Sequence, residues 1–146
     1  MKIDQLTIGV RLENEQFFTV TQEQINQFAE ATGDHQWIHL DAERCAQFSP
    51  YKSTIAHGFL TVSLMPKMFA ECLEIDESKT TMINYGMDQL RFIEAVRVND
   101  EIKYCFTLEN IEKKPHGDLY KFNGQVLIKG REKPALIGVF LSLILR

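Results

Sequence analysis

The amino-acid sequence predicts an α+β protein in which an antiparallel β-sheet packs on a central helix. Four segments after residue 80 are rich in β-branched and aromatic residues, and turn-forming sequences separate the last three. They follow segments with helical signals, of which residues 58–73 are apolar nearly all round. The length of 146 residues suits one domain, and we expect that domain to span residues 1–146.

The N-terminal part predicts a short strand and two helices. The strand is FFTV, residues 17–20. Thr21 and Gln24 have the spacing of a capping box at the start of a helix, and Gly33 supplies the left-handed residue that ends it. A second, shorter helix is predicted to begin after Asp41, which can accept a hydrogen bond from a free backbone amide.

The remaining elements follow from a change of period along the chain. The apolar helix over residues 58–73 is expected to be enclosed by the fold, with a kink at Pro66 because proline lacks an amide proton. The four predicted strands are TTMINYGMDQLRF, EIKYCFTLENIEK, LYKFNGQVLIKG and ALIGVFLSLIL. The last is shorter than the roughly 20 apolar residues of a membrane-spanning helix, so a buried strand is predicted.

Composition argues against several classes of function. The formal net charge is −4 and the basic residues are scattered, whereas a nucleic-acid-binding surface needs them clustered. The three cysteines, Cys45, Cys72 and Cys105, lack C-x-x-C spacing, so neither a structural zinc site nor a disulfide framework is expected. With no signal peptide and no membrane segment evident, the sequence predicts a protein of the reducing cytoplasm.

The segment ATGDHQWIHLD gathers Asp34, His35 and His39 just after the first helix, and three interpretations compete for it. A metal site would use His35 and His39, spaced as in H-E-x-x-H, but that motif needs a continuous helix and a glutamate where this chain has Gln36. A polar turn would leave Asp34 capping the bend and His35 in solvent. An acid–base pair would bring Asp34 and His39 to one water molecule, behind anchoring apolar side chains.

A second segment, IAHGFLTVS, bears on the choice among these interpretations. Gly58 begins the apolar helix, so its amide is a donor without an intrahelical partner. The absent side chain lets a substrate carbonyl approach, which makes this amide a candidate oxyanion hole. His57 directly precedes Gly58, and for it we predict a structural role.

Together these two segments resemble the MaoC-like family of (R)-specific enoyl-CoA hydratases and dehydratases. The family carries S/T-G-D-x-N-P-x-H followed by A/V-H-G at the start of a central helix. TGDHQWIH places Asp34 and His39 on the two catalytic positions, and IAHGFLTVS places Gly58 on the oxyanion position. Ser63 falls where the family has a serine that helps to orient the acid. The resemblance extends over residues from about 15 to 145 and implies a hot dog fold.

The sequence departs from the family pattern at two places. Gln36 and Trp37 stand where the family usually has Asn and Pro, and this form looks closer to the nodulation protein N-like branch. Trp37 hints at a smaller pocket than usual. The Pro-Val pair before the next strand is also missing, with Glu94, Ala95 and Val96 in its place.

The resemblance implies reversible addition of water to a trans-2-enoyl-CoA, giving an (R)-3-hydroxyacyl-CoA, by acid–base chemistry. It implies no metal and no cofactor other than the coenzyme A of the substrate, and it implies a homodimer. Two alternatives stay open: a dehydratase acting on acyl-carrier-protein thioesters, and a non-catalytic acyl-thioester binding protein. A thioesterase fits less well, because the G-D-x-x-x-H spacing is that of hydratases.

Overall fold

The computed structural model describes residues 1–145, and Arg146, the last residue of the predicted domain, lies outside them. The α+β prediction is confirmed: six strands form one antiparallel sheet, and helices pack against it. The elements in chain order are a 3₁₀ turn (Ile3–Gln5), β1 (Arg11–Glu13), β2 (Phe18–Thr19), α1 (Gln22–Thr32), α2 (Trp37–Leu40), α3 (Ala42–Phe48), α4 (Gly58–Ser63), α5 (Met65–Glu71), β3 (Thr81–Phe92), β4 (Glu101–Lys114), β5 (Gly117–Ile128) and β6 (Leu136–Leu145).

The sheet has the strand order β1-β4-β5-β6-β3, and β2 pairs with β4 beside β1. The four long predicted strands are confirmed, with β4 and β5 joined by a tight turn between Lys114 and Gly117. β3 pairs with β6 and therefore forms one edge of the sheet. β1 was not predicted from the sequence, because three residues are too few to show an alternating pattern.

The helix at the centre of the fold is interrupted as predicted. Leu64 separates α4 from α5 but keeps right-handed helical backbone angles. Its amide donates to the Leu60 carbonyl at 3.2 Å and its carbonyl accepts from the Met68 amide at 3.0 Å, so the two segments follow each other directly. Pro66 lies in the first turn of α5, where its missing amide proton prevents a regular continuation from α4.

The prediction that this helix is enclosed by the fold holds for one face only. One face is buried: Phe69 has no solvent exposure, and its ring lies 4.8–5.4 Å from three aromatic rings of the sheet, Phe106, Phe122 and Phe140. The opposite face is open, and the Phe59 side chain is 63 % exposed. The sheet covers the helix from one side only, which a one-dimensional pattern of apolar residues cannot reveal.

A short antiparallel pairing holds the segment that leads into α4. Ile55 forms an isolated bridge with Arg97, in the loop after β3. The Ala56 amide donates to the Val96 carbonyl at 2.7 Å, and the Val98 amide donates to the Thr54 carbonyl at 3.0 Å. The start of α4 is therefore fixed to the sheet through this loop.

The first helix begins and ends where the sequence indicates. The Thr21 hydroxyl accepts from the Gln24 amide at 3.3 Å, and Gly33 ends α1 with a φ of 80°. The second half of the predicted capping box is missing, because the Gln24 side-chain oxygen is buried without a hydrogen-bond partner among residues 1–145. No helix within these residues has the length and apolar character needed to cross a membrane.

Candidate active site

Asp34 lies where the chain turns back after α1. The left-handed conformation of Gly33 makes the bend, and the Asp34 carboxylate accepts from the Gln36 amide at 3.3 Å, as the polar-turn interpretation predicts. Partial burial raises the pKa of Asp34, but hydrogen bonds from Gln36 and the proximity of His39 and His57 outweigh it. The pKa of Asp34 therefore lies below the usual 3.8, and its side chain is a carboxylate at neutral pH.

His39 lies on α2, a helical turn of four residues, and its side chain is 6 % exposed. Its Nδ1 atom lies 2.7 Å from the carbonyl oxygen of Ile55. Because a carbonyl only accepts hydrogen bonds, Nδ1 carries the proton and the neutral ring keeps a lone pair on Nε2. Burial lowers the pKa of His39 below 6.5 and outweighs the opposing effects of Ile55 and Asp34, so the ring is neutral at pH 7.

Gln22 at the start of α1 fixes the backbone around this imidazole. Its side-chain amide donates to the His39 carbonyl at 2.8 Å, and its oxygen accepts from the Thr54 hydroxyl at 2.5 Å. Thr54 is buried and directly precedes Ile55, whose carbonyl holds the imidazole. One side chain therefore ties His39 to the segment that sets its tautomer.

The acid and the imidazole predicted from the sequence do converge. One carboxylate oxygen of Asp34 and one ring nitrogen each of His39 and His57 all lie within 4.8 Å of one another. Two hydrogen bonds of about 2.8 Å can span that distance through one water molecule. The same three side chains could hold a metal ion, although each ring already uses one nitrogen on a backbone carbonyl.

Gly58 is the first residue of α4. The amides of Leu60 and Thr61 donate to the His57 carbonyl, whereas the Gly58 amide has no acceptor among the described residues. A cavity of about 310 Å³ contains both Gly58 and His39 in its wall. Its other lining residues are Tyr51, Ile55, Ala56, Phe59, Phe92, Ile93, Glu94 and Ala95.

An aromatic side chain lies directly against Gly58. A Cβ atom at position 58 would lie 2.7 Å from Cε1 of Phe92, which is closer than carbon atoms approach in proteins. Phe92 also meets Phe59 edge to face, with ring centroids 5.6 Å apart. Position 58 must therefore lack a side chain if Phe92 is to keep its place.

Ser63 does not contact the acid it was expected to orient. Its hydroxyl donates to the Phe59 carbonyl at 2.6 Å, one helical turn back, and the structure gives no hydrogen bond to Asp34 among residues 1–145. It instead lines a second, mostly apolar cavity of about 480 Å³ between the central helix and strands β3 and β6. Phe59 lines both cavities.

The other predicted residues of the loop point away from the pair. His35 is exposed, as expected, and its Nε2 lies 2.7 Å from a Glu30 carboxylate oxygen, a hydrogen bond that raises the pKa of His35. The Trp37 ring packs under the Arg44 guanidinium at 4.3 Å and lines neither cavity. The spacing of His35 and His39 therefore does not bring the two imidazoles to one site.

Sequence reasoning missed what Gln22 and Glu94 do at the site. Gln22 is the first residue of α1. A glutamine at a helix start does not indicate a hydrogen bond to His39 or Thr54, many residues later in the chain. Glu94 lines the cavity that contains His39 and Gly58, and it is half-buried. Its departure from the family's Pro-Val pattern was the signal that could have drawn attention to it.

Comparisons with known proteins point to one family. Residues 4–126 match the family described as MaoC like domain. The chain is 37 % identical over 130 residues to 3-hydroxyacyl-thioester dehydratase Z of Mycobacterium tuberculosis (strain H37Rv), covering 88 % of this chain and 85 % of that protein. It is 36 % identical over 137 residues to Nodulation protein N of Rhizobium meliloti, covering 93 % and 85 %.

A solved structure shares the whole architecture. R-Hydratase PhaJ1 from Pseudomonas aeruginosa superposes with a TM-score of 0.77 at 25 % identity, covering 96 % of this chain and 83 % of that one. The antiparallel sheet around a central helix is thus the hot dog fold expected from the resemblance. With its fold, its two motifs and the family match over residues 4–126 in agreement, the chain belongs to the MaoC-like dehydratase family.

Proposed function

We propose that this protein catalyses the reversible addition of water to a trans-2-enoyl thioester, giving an (R)-3-hydroxyacyl thioester. The observation that carries the proposal is the approach of the Asp34 carboxylate and a His39 ring nitrogen to within 4.8 Å. His39 lines a cavity whose wall also contains Gly58, and the Gly58 amide has no acceptor among the described residues. The names of the hydratase and dehydratase relatives point to the same reaction.

The chemistry follows from the protonation states of the pair. A water molecule held between Asp34 and the Nε2 lone pair of His39 loses a proton to the carboxylate as its oxygen attacks Cβ of the enoyl group. The Gly58 amide donates to the thioester oxygen, where negative charge develops. The proton then passes to Cα, so the pair ends the cycle in its starting state and no proton is gained or lost overall.

The two cavities suit the two ends of such a substrate. The apolar cavity under the central helix can take an acyl chain, since its lining includes Val62, Met87, Leu90 and Leu141. The cavity that contains Gly58 takes the thioester and opens toward solvent, where the carrier arm would emerge. Coenzyme A takes part only as a portion of the substrate, and the reaction needs no metal or redox cofactor.

Assembly and location are part of the proposal. β3 is an edge strand of 12 residues that leaves Ile83, Tyr85 and Phe92 exposed, and such an edge favours pairing with a second copy as a homodimer. The three cysteines are all free thiols, which fits the cytoplasm. Sedimentation of the purified protein tests the dimer.

The decisive experiment is turnover of crotonyl-CoA, followed by loss of the ultraviolet absorbance of the conjugated thioester. Asp34→Asn should lower kcat by about 10² to 10⁴-fold, because the amide keeps the shape but cannot take a proton. Asp4→Asn, at an exposed aspartate outside the site, is the matched control and should retain parental turnover. Equal kcat for Asp34→Asn and the parent would refute the assignment.

The same assay separates the alternatives. A carrier-protein dehydratase would turn over crotonyl-acyl-carrier protein with a far higher kcat/KM than crotonyl-CoA. A non-catalytic binder would bind enoyl-CoA without turnover, and Asp34→Asn would bind as tightly as the parent. The relative named 3-hydroxyacyl-thioester dehydratase Z favours a thioester substrate without specifying the carrier.

A further inference from the structure

His57 touches every part of the site that the proposed function uses. It is 3 % exposed, and its side chain is buried among residues of α1 and α2. Its Nε2 lies 3.0 Å from the backbone carbonyl oxygen of Asp34, and its ring stacks on that of His39 with centroids 3.8 Å apart and an interplanar angle of 21°. It is joined to Gly58 by a peptide bond.

These contacts leave the His57 ring little freedom to move. Phe28 of α1 lies against it, with ring centroids 4.9 Å apart, so the imidazole is held between Phe28 and His39. Its backbone carbonyl accepts from the amides of Leu60 and Thr61, which fixes the first turn of α4. Because the His57 ring is held in place, it fixes the positions of the groups that it contacts.

The tautomer of His57 follows from its one polar contact. Because the Asp34 carbonyl only accepts, Nε2 of His57 carries a proton, and the neutral ring has its lone pair on Nδ1. Nδ1 is buried and has no hydrogen-bond partner among residues 1–145. A buried acceptor without a partner costs stability, so packing alone would be better served by an apolar ring.

We propose that His57 is a positioning residue for the Asp34–His39 pair, an inference that rests on the proposed function. Its Nε2 proton holds the backbone of Asp34, and its ring sets the plane of the His39 imidazole that offers Nε2 to the water. It thereby places the acid and the imidazole relative to the Gly58 amide, without contacting the substrate. This role goes beyond the structural one predicted from the sequence.

Two substitutions separate the two contacts. His57→Phe keeps a ring that can stack on His39 but removes the donor to Asp34. His57→Gln keeps a donor of similar reach but removes the ring. A misplacement of about 1 Å can cost about 10²-fold in rate, so each variant should lose kcat on that scale while KM for crotonyl-CoA changes little.

Nitrogen-15 NMR of the imidazoles provides a readout that does not depend on activity. In the parent, we expect His39 protonated on Nδ1 and His57 on Nε2, each as a single tautomer. In His57→Gln the His39 signals should broaden or show both tautomers. The control His35→Gln, at an exposed ring in the same loop, should leave the signals of His39 and His57 and the value of kcat unchanged.

Two results would overturn the positioning role of His57. Opposite tautomers in the parent would overturn the proposal, even if both variants fail to fold. Unchanged His39 signals and unchanged kcat in both variants would also overturn it. If no thioester is turned over by the parent, the proposed function fails, while the NMR comparison still tests the positioning role of His57.

Discussion

Gly58→Ala is the substitution whose effects on folding and on activity should differ most. The added Cβ atom would lie 2.7, 2.8 and 3.0 Å from three ring carbons of Phe92. Carbon atoms in contact prefer about 3.5–4.0 Å, so the ring must move by about 1 Å. Phe92 is 48 % exposed and has room to do so.

The free energy of unfolding should change little. Alanine is favoured over glycine within a helix by up to about 1 kcal/mol, and an off-rotamer Phe92 costs about 0.5–1.5 kcal/mol, so the two effects nearly cancel. For a domain of this size, we expect the Tm to stay within about 4 °C of the parent.

The effect on turnover should be large. The new methyl group and the displaced Phe92 ring would crowd the cavity that Gly58 and Phe92 line. If the substrate oxygen can no longer reach the Gly58 amide, the loss of one donor to a developing oxyanion costs about 10² to 10³-fold in kcat. Steady-state hydration of crotonyl-CoA and a thermal melt on the same preparation measure the two quantities. Parental kcat in a folded Gly58→Ala protein would refute the oxyanion role, and an unmoved Phe92 ring in its crystal structure would refute the steric reasoning.

Three further predictions concern protonation, packing and thiol reactivity. Because the pKa of His39 in the folded protein lies below 6.5, protonation of this ring favours the unfolded chain. The free energy of unfolding and kcat/KM should therefore both fall as the pH drops from 6.5 through that lower pKa. A fall of kcat/KM that is centred at or above pH 6.5 would contradict this. Phe69→Ala should lower the free energy of unfolding in urea by about 3–5 kcal/mol, whereas Phe48→Ala, at a side chain that is 72 % exposed, should change it by less than about 0.5 kcal/mol. Burial raises the pKa of Cys72 to about 11, so iodoacetamide at pH 8 should label it slowly until the chain unfolds; rapid labelling of the native protein would count against its burial.

The sequence predicted the parts of the fold that depend on local signals. The cap at Thr21, the bend at Gly33 and the helix interruption just before Pro66 are properties of single residues and their near neighbours, and all three are present. The four long strands follow from segments of ten or more residues that are rich in β-branched and aromatic residues. The three residues of β1 give no such pattern, because their place in the sheet is set by β4.

The site was predictable only in part, for the same reason. The two motifs placed Asp34 and His39 together because five residues around a bend bring them close. The stacking of His57 on His39 and the contact of Gln22 with the His39 carbonyl join separate segments of the chain, and no local rule indicates them. The orienting role expected of Ser63 stays a prediction, because its position along the helix did not reveal that its hydroxyl bonds to Phe59.

The short pairing of residues 54–56 with residues 96–98 links the location of one proton on His39 to a part of the loop after β3 that does not line the cavity. The Ile55 carbonyl selects the tautomer of His39, and Ile55 is itself held against Arg97. A shift of the Arg97 backbone would thus move Ile55, and the Ile55 carbonyl would move the His39 imidazole with it. A substitution at Arg97 could therefore change the position of the His39 imidazole while every side chain at the site stays the same.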